Sequence, residues 1–189
     1  MFIIDNGIKR EVKSLYPNIA AYIAYSPMSF CTFWNHMDIS EEILNEMLYN
    51  NEPLTLGERY GFYKLTGMNF NAMKCRKMIY LNPDRPKHIS MVKTLEGKMK
   101  TILKYAAEGD DIAIKEVNRY GETVDVRFAD LFDNFILGKA TYSEYLVRAR
   151  ELDFSLMCIE NGREKRENRI RSKSIKEPVD MQNDKKENP

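Results

Sequence analysis

Apolar side chains recur at helical spacing along most of the chain, and capping or breaking residues separate the recurring segments. Pro17 suits the first turn of a helix over NIAAYIAY, and Pro27 ends that helix. Ser29 and Ser40 stand where the N-caps of two further helices are expected, with a turn at residues 38–39 between them. The pattern therefore predicts a series of short helices near the N-terminus.

Two more helices and one extended segment complete this first part. Thr55 followed by Glu58 has the spacing of a capping box for a fourth helix. A fifth short helix is expected over residues 69–75. Residues 8–15 are predicted to be a helical lead-in, and the apolar MIYL at 78–81 a strand or an extended connector.

Three longer amphipathic stripes follow Pro83 and Pro86, with breaks at Gly109 and Gly138. The stripes are Ile89, Val92, Met99, Ile102, Leu103 and Ala106; Val117, Tyr120, Val124, Phe128, Leu131 and Phe135; and Tyr145, Leu146, Ala149 and Leu152. Three amphipathic helices joined by short turns are typical of an antiparallel bundle. Almost no apolar side chain remains after Asn161, which predicts disorder because such a segment buries too little surface to fold.

The second and third short helices have apolar residues at offsets that bring the two helices together: Phe33, Met37, Ile39, Leu44 and Met47. With DIS at 38–40 and LTLGE…KLTGM in the next helix, residues 16–75 resemble the Cro/repressor-type (XRE-like) helix-turn-helix family. Asp38 replaces the glycine that is usual in the turn, and aspartate tolerates left-handed backbone. Trp34 replaces a usual alanine, so it either forces the two helices apart or turns outward.

The resemblance implies that the third helix, residues 40–49, lies in the major groove of double-stranded DNA. The positions it implies as DNA-facing are Ser40, Glu41, Glu42, Asn45, Glu46 and Tyr49, with Phe30 near the DNA backbone. Lys74, Arg76 and Lys77, in the sequence KCRK, are the best candidates for phosphate contacts.

The predicted fold class is therefore all-α, in three parts. Residues 1–82 form a five-helix helix-turn-helix-like domain, residues 83–160 a three-helix antiparallel bundle, and residues 161–189 a disordered basic and polar tail. The stripes of the bundle either pack within one chain, form a homodimer through residues 86–159 or contact a protein partner. The homodimer would fit the resemblance, because repressor-type modules commonly bind two half-sites as dimers.

The charge of the chain argues against DNA binding. The net charge is +1, so the whole chain has no strong attraction for a polyanion. Glu41, Glu42 and Glu46 place three carboxylates on the helix that would enter the groove, where they oppose binding or form a solvated face. Basic residues are concentrated in the tail, where residues 163–176 contain seven Lys or Arg against two Glu.

No catalytic or metal-binding pattern is present in the sequence. The three cysteines are far apart and form no CxxC pair, and the two histidines are not at ligand spacing. We therefore expect no enzymatic activity and no cofactor. No stretch approaches the ~20 apolar residues of a membrane helix, and the expected location is the cytoplasm.

Two main functions remain open from the sequence, beside a third, single-stranded nucleic-acid binding through the basic tail. The first is a non-enzymatic DNA-binding transcriptional regulator of the kind that phages or mobile elements encode. The alternative is a protein–protein interaction module, an antirepressor or adaptor, that has kept the helix-turn-helix fold and lost DNA binding.

Overall fold

The computed structural model describes residues 1–5 and 7–174, and it describes only the backbone at residues 5, 119–127, 173 and 174. This part of the chain is mostly helical, as predicted, with a small two-stranded sheet at its start. The elements are β1 (Phe2–Asp5), β2 (Ile8–Glu11), α1 (Pro17–Tyr25), α2 (Phe30–Met37), α3 (Glu41–Tyr49), α4 (Leu56–Thr66), α5 (Phe70–Lys74), α6 (Pro86–Ala107), α7 (Asp111–Ile136) and α8 (Tyr142–Ser174).

The helical lead-in predicted for residues 8–15 is wrong. β1 and β2 form an antiparallel hairpin in which Ile3 is paired with Arg10 and Ile4 with Lys9. Gly7 adopts a φ of 80°, which costs a residue without a side chain little. The sequence at 6–7 is Asn-Gly, the pair that most favours tight hairpins, so a recognisable signal was present and was missed.

The helices α1 to α5 begin where the sequence predicted. Thr55 and Glu58 form a complete capping box at the start of α4, and Asn69 caps α5. Their inner faces bury one apolar cluster that includes Ile19, Phe33, Leu44, Phe62 and Met73. The segment 78–81 is an extended connector that forms an isolated bridge between Tyr80 and Thr141.

The helices α6, α7 and α8 pack against one another around a second apolar cluster. Gly109 and Gly138, at φ 81° and 67°, make the turns between them. Leu103, predicted to face inward, is 40% exposed because its neighbour Ile102 occupies the buried position. The side chains of Tyr120 and Val124 lie outside the described residues.

The disorder predicted from Asn161 onward is wrong as far as Ser174, because α8 continues to that residue. Ile159 is fully buried, and the Arg163 guanidinium lies 4.4 Å from the centroid of the Tyr105 ring. Arg166 pairs with Asp110 at the start of α7. These contacts extend the helix past the point where apolar residues end. Residues 175–189 lie outside the described part of the chain.

The single helix α8 contacts both apolar clusters. Val147 belongs to the first cluster and Leu152 to the second, so α8 joins the two parts that the sequence divides near residue 82. None of the helices in the described ranges is both long enough and apolar enough to cross a membrane.

Candidate nucleic-acid interface

The two helices α2 and α3 are each capped by a serine and joined by a tight turn. The Ser29 hydroxyl accepts from the Thr32 N–H, and the Ser40 hydroxyl accepts from the Ile43 N–H, both at 3.2 Å. Between the helices, Asp38 adopts φ 53° and ψ 40°, the left-handed conformation that the sequence predicted it to tolerate. The turn reverses the chain direction without a glycine.

The seam between α2 and α3 is apolar and closed. Phe33, Met37, Leu44 and Met47 are buried in one cluster, and Ile39 packs against it. The packing of these five side chains is confirmed. Because the seam occupies the inner faces of both helices, the exposed residues of α3 lie away from it, in its first turn.

Trp34 and Phe30 lie on the side of α2 that faces the hairpin. Their rings meet edge to face, with 6.0 Å between centroids. Both line a groove of about 530 Å³ whose other wall includes β1. The structure therefore turns Trp34 out of the seam, and it places Phe30 beside the hairpin.

The predicted DNA-facing residues of α3 fall into two groups. Ser40, Glu41 and Glu42 are exposed at the N-terminal end of the helix. Glu46 is half-buried and accepts a hydrogen bond from the Asn50 amide at 2.8 Å. The freely exposed part of α3 is therefore its first turn, which carries two carboxylates.

The second group, Asn45 and Tyr49, faces β2. These residues line a hollow of about 540 Å³ together with Arg10, Glu11, Lys13 and Asn50. The Arg10 guanidinium lies 5.4 Å from the centroid of the Tyr49 ring. The Asn45 Oδ1 atom is buried and has no hydrogen-bond partner among the described residues.

The hairpin contributes the basic residues that sequence reasoning missed. Lys9, Arg10 and Lys13 are exposed on β2 and just after it, and the Lys13 N–H donates to the Leu48 carbonyl of α3 at 2.9 Å. They were overlooked because residues 8–15 were predicted to be helical. The Asn-Gly pair at 6–7 favours a hairpin, and the second strand of that hairpin carries Lys9 and Arg10.

The basic residues Lys74, Arg76 and Lys77 are exposed at the end of α5 and in the connector after it. The Asn18 side chain of α1 donates to the Lys77 carbonyl at 3.1 Å, which holds this segment against the start of α1. The basic residues therefore form two separate groups. One lies on the hairpin beside α3, and the other lies in the connector that packs against α1.

Within the described residues, no group of three or more His, Cys, Asp or Glu side chains is arranged to hold a metal ion. Comparison with protein-family models, with curated proteins and with solved structures finds no match. The resemblance to the Cro/repressor-type family thus stays a prediction that rests on the residues of this chain.

Proposed function

We propose that the protein is a non-enzymatic regulator that binds double-stranded DNA through α3. The observation that carries the proposal is the α2–α3 unit, in which five apolar side chains close the seam across Asp38. In a helix-turn-helix, that packing presents the second helix to the major groove. The basic strand beside α3 supplies groups that the phosphate backbone attracts.

In this proposal, different residues perform different tasks. Lys9, Arg10 and Lys13 neutralise phosphates and provide the affinity that does not depend on base sequence. Glu41 and Glu42, in the exposed first turn of α3, accept hydrogen bonds from cytosine amino groups in the major groove. Because Glu11 and the three glutamates of α3 offset the three cations, we expect moderate affinity and discrimination against sequences without cytosine at those positions.

A salt series with mixed-sequence duplex DNA tests the proposal. Binding should weaken steeply as salt rises, because released counterions drive it. Replacing Lys9 and Lys13 by Ala should weaken binding roughly tenfold at low salt and make the salt slope shallower by about 1.8, the value for two lost phosphate contacts. The matched control replaces Lys93 and Lys115, which are exposed on α6 and α7, and should leave binding unchanged.

Absence of duplex binding at low salt, or equal losses in both lysine pairs, refutes the proposal. A homodimer through residues 86–159 is part of the same proposal, since two copies would occupy two half-sites. Sedimentation at concentrations near the DNA affinity measures the mass, and a monomer on the DNA contradicts this part alone.

The second candidate function is a protein–protein interaction module, and the acidic first turn of α3 favours it. Glu41 and Glu42 are exposed at the end that would enter the groove, and they repel phosphate. Replacing both by Gln separates the candidates. If duplex binding appears only in the Gln variant, the natural α3 excludes DNA and its acidic face suits a basic protein partner.

A further inference from the structure

An open hollow with an aromatic floor lies between α4 and α5, away from the α2–α3 seam. It has a volume of about 410 Å³ and is lined by Tyr60, Tyr63, Asn69, Phe70 and Asn71. The Tyr60 and Tyr63 rings are nearly parallel, with 25° between their planes and 6.2 Å between their centroids. Phe70 meets Tyr63 edge to face at 5.8 Å.

These tyrosines are available to a ligand. Tyr60 is 50% exposed and Tyr63 is 46% exposed, although both are large aromatic side chains. The ring surface that Lys64 and the contact between the two tyrosines leave uncovered is available for stacking. The exposed side chain of Asn71 adds an amide at the rim. The floor is therefore suited to a flat, partly polar ring rather than to an aliphatic group.

Two lysines, Lys64 and Lys74, lie on the same helices as the aromatic rings of the hollow. The segment 59–77 contains five Lys or Arg and no Asp or Glu. Lys64 Nζ lies 4.7 Å from the centroid of the Tyr60 ring. Lys74 is exposed one helical turn after Phe70, and Arg150 of α8 donates to the Lys64 carbonyl at 3.1 Å.

Aromatic faces set among cations match the chemistry of single-stranded nucleic acid. In a duplex, each base is already stacked between its neighbours and cannot lie on a side-chain ring. In a single strand the bases are free to stack on aromatic side chains, while Lys and Arg contact the adjacent phosphates. A partner protein with an apolar surface would match the rings but not the neighbouring Lys64 and Lys74.

We propose that this hollow binds an unpaired base of single-stranded DNA. Tyr60 and Tyr63 stack on the base, and the Asn71 amide forms hydrogen bonds with its edge. Lys64 and Lys74 contact the phosphates on either side. This site is separate from α3 and does not depend on the duplex binding proposed above.

The test measures fluorescence anisotropy of a labelled oligothymidylate of about 12 nucleotides, within the site sizes of single-strand-binding domains. With the full chain, replacing Tyr60 and Tyr63 by Ala should weaken binding roughly 10- to 100-fold. Replacing both by Phe retains the rings and should change binding less than about threefold. Tyr80→Ala removes a tyrosine that is 52% exposed outside the hollow, and it should have no effect.

A second variant covers the case in which the Ala pair fails to fold, as judged by circular dichroism. Lys64→Glu leaves the aromatic floor in place, and it should weaken binding at low salt and flatten the salt dependence. The proposal is overturned if the natural chain does not bind the oligothymidylate, if it binds only the ribonucleotide counterpart, if the folded Ala pair binds normally, or if Lys64→Glu binds normally. The Lys9 and Lys13 variants should keep single-strand binding, so failure at one site is distinguishable from failure at the other.

Discussion

The Ser143 hydroxyl, near the start of α8, donates a hydrogen bond to the backbone carbonyl of Asn18 in α1 at 2.5 Å. Both residues are fully buried. The Asn18 side chain continues the network, since its amide donates to the Ala72 and Lys77 carbonyls and its Oδ1 accepts from the Ile79 N–H at 2.9 Å. One asparagine thus holds α1, α5, the connector and α8 together.

Asn18→Ala should lower the free energy of unfolding by about 2–4 kcal/mol, because it removes the hydrogen bonds to the Ala72 and Lys77 carbonyls and the one from the Ile79 N–H. Urea denaturation measures this change. Asn35→Ala, at an exposed position on α2, is the control and should stay within about 0.5 kcal/mol of the natural protein. A loss at Asn18 no larger than the loss at Asn35 would show that water replaces the network.

Asp110 should make the free energy of unfolding depend on pH in the acidic range. Burial alone would raise the pKa of this carboxyl, but hydrogen bonds from the Ala113 N–H and Arg166 outweigh burial and hold the pKa below its ordinary value. Because the pKa is lower in the folded state, the ionised carboxylate stabilises the fold at pH values above the unfolded pKa of about 4. This stabilisation is lost as the pH falls through the folded pKa. Thermal unfolding between about pH 5 and pH 2 should show this loss.

Asp110→Asn provides the matched comparison, because asparagine also caps helices but does not titrate. Its stability should fall less over the same pH range. Arg166→Ala should shift the loss toward higher pH, since it removes one of the groups that favour the carboxylate. Identical pH profiles for the natural protein and Asp110→Asn would rule out Asp110 as the source.

Two glycines inside helices should respond oppositely to alanine. At Gly97 in α6, an added Cβ meets nothing within 4 Å, so Gly97→Ala should stabilise the fold by about 0.5–1 kcal/mol. At Gly61 in α4, the Cβ would lie 3.3 Å from the Met37 carbonyl oxygen, which should cancel that gain. Gly61→Leu should destabilise by about 1–3 kcal/mol. Thermal denaturation of the three variants measures the differences, and equal gains from the two alanines would mean that α2 and α4 are not in close contact.

The turn between α2 and α3 should gain from glycine. Asp38 holds a φ of 53°, which costs an ordinary residue about 1–2 kcal/mol. Asp38→Gly should therefore raise the free energy of unfolding by up to about 1 kcal/mol, and Asp38→Val should lower it. Chemical denaturation checks both, and the expectation fails if Val is tolerated as well as Gly.

The short helices could be predicted from the sequence because their ends depend on local chemistry. Ser29, Ser40 and Thr55 each accept a hydrogen bond from an N–H three residues on, and such caps need no distant partner. The hairpin was missed because strands of four residues carry little periodicity. The continuation of α8 was missed because Arg163 and Arg166 are held by contacts with Tyr105 and Asp110, which are remote in sequence.

The candidate interface could be predicted only in part for the same reason. The apolar seam follows from spacing within a single segment, and it was predicted residue by residue. The surroundings of Asn45 and Tyr49 depend on where β2 lies, and no pattern within α3 contains that information. The contact between the Arg10 guanidinium and the Tyr49 ring depends on the position of the hairpin, which lies remote from α3 in sequence.

The length of α8 has a mechanical consequence. With 33 residues and a rise of about 1.5 Å per residue, it is a rod of roughly 50 Å. One end is fixed to α1 by Ser143, and the other carries Arg169 beyond the bundle. Because α8 also packs against α6 and α7, its arginine-rich end is joined to α1 by one continuous helix that those two helices support.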